Sequence, residues 1–237
     1  DTLAVVSRAI DGWQQTSGRF DIATLPALIA SGYTHSTVDD IAAPLVPGTR
    51  SGGSALVRVD YVASTLTVPE GGAIDLGGIG KGFAADVVAE ELIEAGVTGA
   101  LVNLGGDISV LGRPGDQPVW VLGIENPHDA PNHVAVFRLE TGGVATSGTT
   151  VRRWVKPDGT KAHHVIDPST LHPSASGVTT ATVIASDAAT AEVFATAAMM
   201  LSGHDAIALL DGVRLAGLVV TDDGTVHRTT TLKNFEV

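Results

Sequence analysis

The sequence contains no cysteine. This absence excludes disulfide bonds, zinc–thiolate sites and thiol nucleophiles, although it does not identify the cellular compartment. Basic residues are also scarce: 14 Lys and Arg stand against 26 Asp and Glu, and the formal net charge is −12. Because nucleic-acid-binding proteins carry a basic face, we expect no nucleic-acid partner. A phosphate ligand would need backbone amides, a few placed cations or a metal ion.

Long hydrophobic runs are absent as well. No stretch approaches the roughly 20 apolar residues that a membrane-crossing helix needs, and no signal peptide is recognisable at the start. We therefore predict no membrane span in this chain. What the sequence does contain is 237 residues, 44% of them hydrophobic, which is enough for one sizeable core or two small ones.

Hydrophobic residues recur at helical spacing in several segments of the chain. The predicted helices run from Leu3 to Trp13 with a stop at Gly18, over "TLPALIASGY", from Gly82 with a cap at Gly96, and from about Asp187 to Leu201. In the third of these helices the spacing predicts that one face is buried. That face carries Ala84, Val88, Leu92 and Ala95.

Strand-like stretches outnumber the predicted helices. They are "ALVRVD" and "TLTVP" as a hairpin, "GAIDL", two strands around a glycine turn in "GALVNLGGDISVLG", "VWVLGIEN", "HVAVFRLE", "TTATVIAS", and "RLAGLVVT" with "TVHRT". Residues 43–54, rich in Pro, Gly and Ser, are predicted to form a loop. Because strands and helices do not alternate strictly, we predict an α+β fold with a mixed or antiparallel sheet core and flanking helices.

A glycine-rich stretch, "DLGGIGKG", begins at Asp75 and leads directly into the third predicted helix. Two known phosphate-binding patterns fail here, because Phe83 stands three residues after Gly80 and Lys81 is followed by Gly82. The physical features of a phosphate site remain: free amides at a helix start, and a lysine able to reach an anion. Asp75 could accept from a ribose, a flavin ring or a metal-bound water. The alternative is a tight strand-to-helix turn with a surface lysine.

Two further groups of polar residues are candidates for chemistry. Glu192 and Thr196 lie four apart on a predicted helix and so share a face, which suits Mg²⁺; the alternative is a solvated glutamate with a back-bonded threonine. In "HHVIDP", His163 and His164 would point in opposite directions if the segment is extended, so one faces inward. A triad of Ser147 with a histidine and an aspartate is disfavoured, because no G-x-S-x-G elbow surrounds that serine.

Several motifs occur together, in an order that resembles the ApbE family of FAD:protein FMN transferases. They are "SGRFD", "IDLGGIGKGFAAD", "LVNLGGDI", "ATSG", "HHVIDPST" and "AEVFATA". Each motif is weak by itself. Their joint occurrence at compatible distances, over nearly the whole chain, makes the resemblance specific.

The resemblance implies a single ApbE-like domain over residues 1–237, with a T-fold-like layered architecture and without the family's N-terminal segment. It implies an Mg²⁺-dependent enzyme that takes FAD as substrate, passes FMN to a Ser or Thr hydroxyl of an acceptor protein and releases AMP. Two alternatives stay open: an FAD pyrophosphatase using the same site, and a non-catalytic FAD-binding module. The acceptor, the oligomeric state and a cytoplasmic or extracytoplasmic location are left open.

Site residues follow from the resemblance by matching motifs. The implied metal ligands are the Gly78 carbonyl, Glu192, the Ala195 carbonyl and Thr196. The implied FAD-binding residues are Phe20, Asp21, Asp75, Lys81, Gly105, Gly106, Thr146, Ser147 and His164. Lys81 and His164 are the implied catalytic residues, as a cation against the phosphates and as a base.

The sequence departs from the family pattern at several positions. Glu192 stands where the family carries Asp, which moves the carboxylate by one methylene, and Mg²⁺ tolerates poor geometry badly. Phe83 replaces a Tyr, and "STLHP" replaces Arg-Thr-Gly-x-Pro. "ATSGTT" lacks the Asp that follows Ser-Gly in the family. The Glu192 change and the expected absence of the family's N-terminal segment favour the binding-module alternative.

Overall fold

The computed structural model describes residues 1–33 and 53–237. Its helices are α1 (Thr2–Gln15), α2 (Leu25–Ala30), α3 (Gly80–Glu94), α4 (Ala188–Ala198) and α5 (Gly203–Gly212). Its strands are β1 (Arg58–Asp60), β2 (Thr65–Thr67), β3 (Gly99–Leu104), β4 (Asp107–Gly112), β5 (Trp120–Glu125), β6 (His133–Leu139), β7 (Gly142–Gly148), β8 (Arg153–Val155), β9 (Lys161–His163), β10 (Ile166–Asp167), β11 (His172–Pro173), β12 (Val178–Ala185), β13 (Ala216–Thr221) and β14 (Val226–Arg228). Within these described ranges no helix is long and apolar enough to cross a membrane.

The chain forms two compact units. The first comprises Asp1–Gly77 and Thr149–Ala175, and the second comprises Gly78–Gly148 and Ser176–Val237. In the first unit, α1 and α2 accompany the hairpins β1–β2, β8–β9 and β10–β11. Its small core gathers Ala27, Leu28 and Ile166, with partly buried aromatic and aliphatic side chains against them: Leu25, Tyr33, Trp154 and Leu171.

The second unit is built on a six-stranded sheet in the order β14-β13-β12-β7-β4-β3. Every neighbouring pair in it is antiparallel. Helices α3 and α4 pack on this sheet and on each other, and α5 packs on β13. The hairpin β5–β6 contributes Leu122, Ile124 and Phe137 to a core shared with the sheet. This arrangement agrees with the predicted α+β class and antiparallel sheet.

The predicted glycine turn between β3 and β4 is present. Gly105 and Gly106 have φ of +66° and +99°, values that side-chain-bearing residues rarely adopt. Such a pair makes the two-residue turn that suits the twist of a hairpin. It pairs Leu104 with Asp107 across the ladder, so Asp107 stands at the very start of β4.

Two local predictions are wrong. "GAIDL" is not a strand: the Asp75 N–H donates to the Ile22 carbonyl at 2.8 Å, but no ladder follows. The second error concerns the face of α3, because Val88 and Leu92 are 41% and 39% exposed. The buried residues of this helix are small: Gly82, Ala85 and Ala89. The face with small side chains is buried because it allows close packing against another helix. The hydrophobic pattern had indicated the face with larger side chains instead.

The loop predicted over residues 43–54 lies outside the described residues except for its last two positions. The predicted end of α3 is confirmed. Gly96 has a φ of +94°, and the Val97 N–H donates back to the Leu92 carbonyl at 3.1 Å. This is the left-handed glycine stop that satisfies the last carbonyls of a helix.

Candidate active site

The centre of the candidate site lies in the second unit and consists of one lysine and two carboxylates. Lys81, the second residue of α3, places its ammonium against the carboxylates of both Asp107 and Glu192. Asp107 comes from the β3–β4 turn and Glu192 from the middle of α4. Both carboxylates are buried, at 1% and 2% exposure, whereas 39% of the Lys81 side chain reaches solvent. We call these three residues the carboxylate–lysine cluster.

The charges of the carboxylate–lysine cluster shift the pKa values of its members. Burial by itself lowers the pKa of Lys81, but the charges of Glu192 and Asp107 outweigh it and hold that pKa above 10.5. Burial, together with the neighbouring charge of Asp107, raises the pKa of Glu192 to about 8 although Lys81 opposes the shift. Lys81 is therefore a permanent cation near neutral pH. Two of its three donors serve the carboxylates, which leaves one for a ligand.

The start of α3 contacts a carboxyl group of the protein itself. The anion found there belongs to the protein, because the Gly82 N–H donates to Glu192 Oε2 at 2.8 Å. The positive end of the helix dipole and a free amide together stabilise this carboxylate. The Gly82 amide is therefore already occupied by a side chain of the protein.

Residues of β7 contact both the carboxylate–lysine cluster and α4. Ser147 Oγ and Thr196 Oγ1 are 3.1 Å apart, and the Thr146 N–H donates to Asp107 Oδ1 at 3.3 Å. The structure thus brings together Lys81, Glu192 and the predicted residues of β7 and α4. Asp107 was not among the predicted site residues. A signal for it existed, since it follows the two turn glycines in "LVNLGGDI".

The donor set near Glu192 suits a hard cation. Glu192 supplies a carboxylate and Thr196, four residues further along α4, supplies a hydroxyl, and such oxygens are the ligands that Mg²⁺ takes in proteins. The Ala195 carbonyl belongs to the last turn of α4, where the helix dipole favours a cation, and it accepts a 3.3 Å bond from the Met199 N–H. Across residues 1–33 and 53–237, no three His, Cys, Asp or Glu side chains gather as a metal site. The predicted set has a single carboxylate among its side chains, so that finding does not test it.

Four predicted flavin-binding residues lie in the first unit. Phe20 is buried, at 2% exposure, and its N–H donates to Thr16 Oγ1. Asp21 Oδ1 accepts from the Ala23 N–H at 2.8 Å and from the Ser54 hydroxyl at 2.8 Å, so this carboxylate organises the local turn. Their assignment to the flavin stays a prediction.

The other two predicted residues of this unit are Asp75 and His164. Asp75 Oδ1 accepts from the Gly77 N–H at 2.8 Å and so shapes the glycine-rich stretch. His164 Nδ1 lies 3.2 Å from the Arg152 carbonyl, which can only accept, so Nδ1 carries the proton and Nε2 the lone pair. Burial lowers the pKa of His164 to about 4 and keeps the ring neutral at pH 7.

Comparison with known proteins decides the family. A model of the ApbE family matches residues 1–219. The chain belongs to the ApbE family. The resemblance stated from the sequence motifs is thereby confirmed. A crystal structure of the ApbE protein from Thermotoga maritima covers 100% of this chain, which in turn covers 78% of that one, with a TM-score of 0.85 and 29% identity. This likeness confirms the α+β, ApbE-like fold.

Curated ApbE relatives carry the name FAD:protein FMN transferase. The Vibrio cholerae protein is 30% identical over 234 residues, covering 94% of this chain and 68% of its own length. The Escherichia coli K12 protein is 33% identical over 157 residues. That match covers 66% of this chain but 44% of the relative, so less than half of the relative's length is matched.

Proposed function

We propose that the protein containing this chain transfers FMN from FAD to a Ser or Thr hydroxyl of an acceptor protein and releases AMP. The observation that carries the proposal is the carboxylate–lysine cluster, at the start of a helix, in a member of the ApbE family. The relatives' name supports the donor and the transferred group. Phosphoryl transfer asks mainly for positioning and charge neutralisation, which are the properties this cluster offers.

In this proposal Lys81 holds the pyrophosphate. Two N–H groups of the Lys81 ammonium bind Asp107 and Glu192, which fix its position, and its third N–H donates to a phosphate oxygen. Gly105 lies beside this side chain, because an added Cβ there would be 3.9 Å from Lys81 Cδ. Lys81 thus supplies a fixed positive charge where negative charge develops on the departing AMP.

Magnesium is proposed as the cofactor. The residues that would hold it are Glu192, Thr196 and the carbonyls of Gly78 and Ala195. Bound Mg²⁺ would neutralise charge on the pyrophosphate oxygens. The chain's own part is to keep these oxygen donors in place, and the Ser147–Thr196 contact orients the threonine hydroxyl for that purpose.

The transfer requires a base, because the acceptor hydroxyl loses its proton. The acceptor oxygen forms a bond to the FMN phosphorus, the bond from that phosphorus to the bridging oxygen breaks, and the hydroxyl proton must leave. His164 stays the predicted base, because its Nε2 is free of a proton. A pKa of about 4 makes it a weak base, so its role would be to accept the proton only as the new bond forms.

The test measures the intact mass of a candidate acceptor domain after incubation with this protein, FAD and Mg²⁺, while AMP is quantified in parallel. We expect the acceptor to gain one FMN, and EDTA to abolish the gain. AMP without acceptor labelling would replace the proposal with FAD pyrophosphatase activity. FAD that stays bound and intact would replace it with a binding module.

A pair of glutamate variants tests the site. Glu192→Ala is expected to abolish turnover, because it removes the carboxylate that contacts both Lys81 and the start of α3. Glu94→Ala is the control, since Glu94 is an exposed glutamate at the end of α3, away from the carboxylate–lysine cluster. Unchanged turnover in Glu192→Ala would refute the assignment of the site.

A further inference from the structure

The two helices that carry the candidate active site meet at close range. Lys81 and Gly82 lie at the start of α3, and Glu192 and Thr196 lie on α4. The relative slide and rotation of these helices therefore set the distance between the lysine and the carboxylate. Something in the fold must define that register, because helix packing by small residues alone permits a range of angles.

Asp86 links α3 to the first turn of α4. Its Oδ1 accepts from the Ala188 N–H at 2.9 Å, and its Oδ2 accepts from the Ala189 N–H at 2.9 Å. Both carboxylate oxygens are thus occupied by two successive amides of the other helix. Such amides have no partner inside their own helix, and a carboxylate there is also stabilised by the helix dipole.

A second contact lies one turn away on each helix. Gly82, four residues before Asp86, donates its N–H to Glu192, which is four residues after Ala188. Moving forward along α3 corresponds to moving backward along α4, so the two contacts hold the helices in an antiparallel register. Gly82 permits the approach, because an added Cβ would lie 2.4 Å from the Ala188 carbonyl oxygen.

Asp187 caps α4 from within its own segment of the chain. Its Oδ1 accepts from the Thr190 N–H at 2.8 Å, as a normal N-cap residue of the same chain segment does. Asp187 therefore stabilises α4 locally, whereas Asp86 joins α4 to the helix that carries Lys81. The two aspartates provide a natural comparison, because both satisfy amides of one helix turn.

We propose that Asp86 is a positioning residue for the candidate active site. Its bidentate contact with Ala188 and Ala189 sets the register in which Glu192 reaches both the Gly82 amide and the Lys81 ammonium. This inference deepens the proposed function and rests on it for its consequence in turnover. The structural part concerns the protein without any ligand and stands independently.

The structural part is tested by amide hydrogen exchange measured by NMR. In Asp86→Ala we expect exchange at Gly82 to quicken at least about tenfold, because the Glu192 carboxylate loses its register. In Asp187→Ala the Gly82 rate should stay within about twofold of the parent, while the Thr190 rate rises. If Asp86→Ala fails to fold, Asp86→Asn, which keeps one acceptor oxygen and the shape, replaces it.

Equal effects of the two variants on the exchange rate of the Gly82 amide, or no effect of either, would overturn the proposal.

A second experiment compares the turnover of the same variants in the FMN-transfer assay. Misplacement of a catalytic group by about 1 Å can lower a rate on the order of 100-fold. We expect kcat to fall at least about tenfold in Asp86→Ala with little change in KM for FAD, and to stay near the parent in Asp187→Ala.

The exchange and turnover experiments distinguish failure of the positioning role from failure of the proposed FMN transfer. If the parent protein shows no FMN transfer but Gly82 exchange depends on Asp86 alone, the proposed function fails and the positioning role stands. If transfer occurs and neither Gly82 exchange nor kcat distinguishes Asp86 from Asp187, the proposed function stands and the positioning role fails.

Discussion

At the scale of single residues, Lys81 places its ammonium against two buried acidic side chains, Asp107 and Glu192. Removing one partner of such a group leaves an uncompensated buried charge, which costs several kcal/mol when fully buried. Lys81→Met is therefore expected to lower the free energy of unfolding by about 2 kcal/mol, the lower figure reflecting the partial exposure of this side chain. Urea unfolding measures the change, and Lys161→Met, at an exposed position on β9, is the control.

The free energy of unfolding that Lys81→Met removes should grow as pH rises. The pKa of Glu192, raised to about 8, exceeds its unfolded value of 4.5, so proton uptake in the folded state favours folding at low pH. As pH rises the folded protein loses this advantage, in parent and variant alike, up to about pH 8. Without Lys81 the pKa of Glu192 rises further, so only the variant continues to lose stability. If the difference in free energy of unfolding between the parent and Lys81→Met is the same at pH 6.5 and pH 9.5, the prediction is wrong.

His164 makes stability sensitive to acid. Its pKa of about 4 in the folded protein lies below the ordinary 6.5, so only the unfolded chain takes up the proton between these values. Stability is therefore lost as pH falls from about 6.5 to 4. His164→Asn should remove this part of the slope in urea unfolding. His204→Asn, at a histidine whose side chain is 89% exposed, is the comparison variant.

At the scale of elements, Gly82 decides how closely α3 and α4 approach. A Cβ at this position would lie 2.4 Å from the Ala188 carbonyl oxygen, a backbone atom that cannot rotate away. Gly82→Ala is therefore expected to destabilise the protein by about 1–3 kcal/mol, as overpacking does. Thermal unfolding measures it.

The control for that prediction is Gly212→Ala. Gly212 is the last residue of α5, and an added Cβ there meets no described atom within 4 Å. Alanine should be neutral or slightly stabilising at this site, because it lowers the entropy of the unfolded chain. Equal destabilisation by both substitutions would show that the close contact with α4 does not govern the effect at Gly82.

At the scale of the whole molecule, each compact unit is built from separate stretches of chain. The second unit is interrupted between Gly148 and Ser176, so β7 and its neighbour β12 belong to different stretches. The six-stranded sheet thus joins β3, β4 and β7 to β12, β13 and β14 through one central pairing. Its completion requires contacts between residues far apart in sequence.

This topology predicts that the two fragments produced by dividing the chain after Gly148 cannot fold independently. Fragments 1–148 and 149–237 expressed alone should show no cooperative thermal unfolding by circular dichroism, because each exposes a central strand edge and half of a sheet. Coexpression should restore a cooperative transition. A fragment that unfolds cooperatively by itself would contradict the prediction.

Much of the local structure was determined by sequence. Glycines that must adopt positive φ marked the β3–β4 turn and the end of α3, and hydrophobic spacing located α1, α4 and the sheet strands. These signals act over a few residues, so they can be read from the chain directly. The ordered family motifs likewise indicated the fold, and placed Lys81, Thr146, Ser147, Glu192 and Thr196 in one predicted site.

Only the tertiary structure decided how those residues interact. Lys81 and Glu192 are 111 positions apart, and their contact, with Asp107 as the third member, depends on the packing of α3, α4 and the β3–β4 turn. The buried face of α3 was decided in the same way, by a backbone approach at Gly82 that hydrophobic spacing cannot express. Sequence patterns report preferences of neighbouring residues, whereas charge pairing and close packing depend on which distant residues the fold brings together.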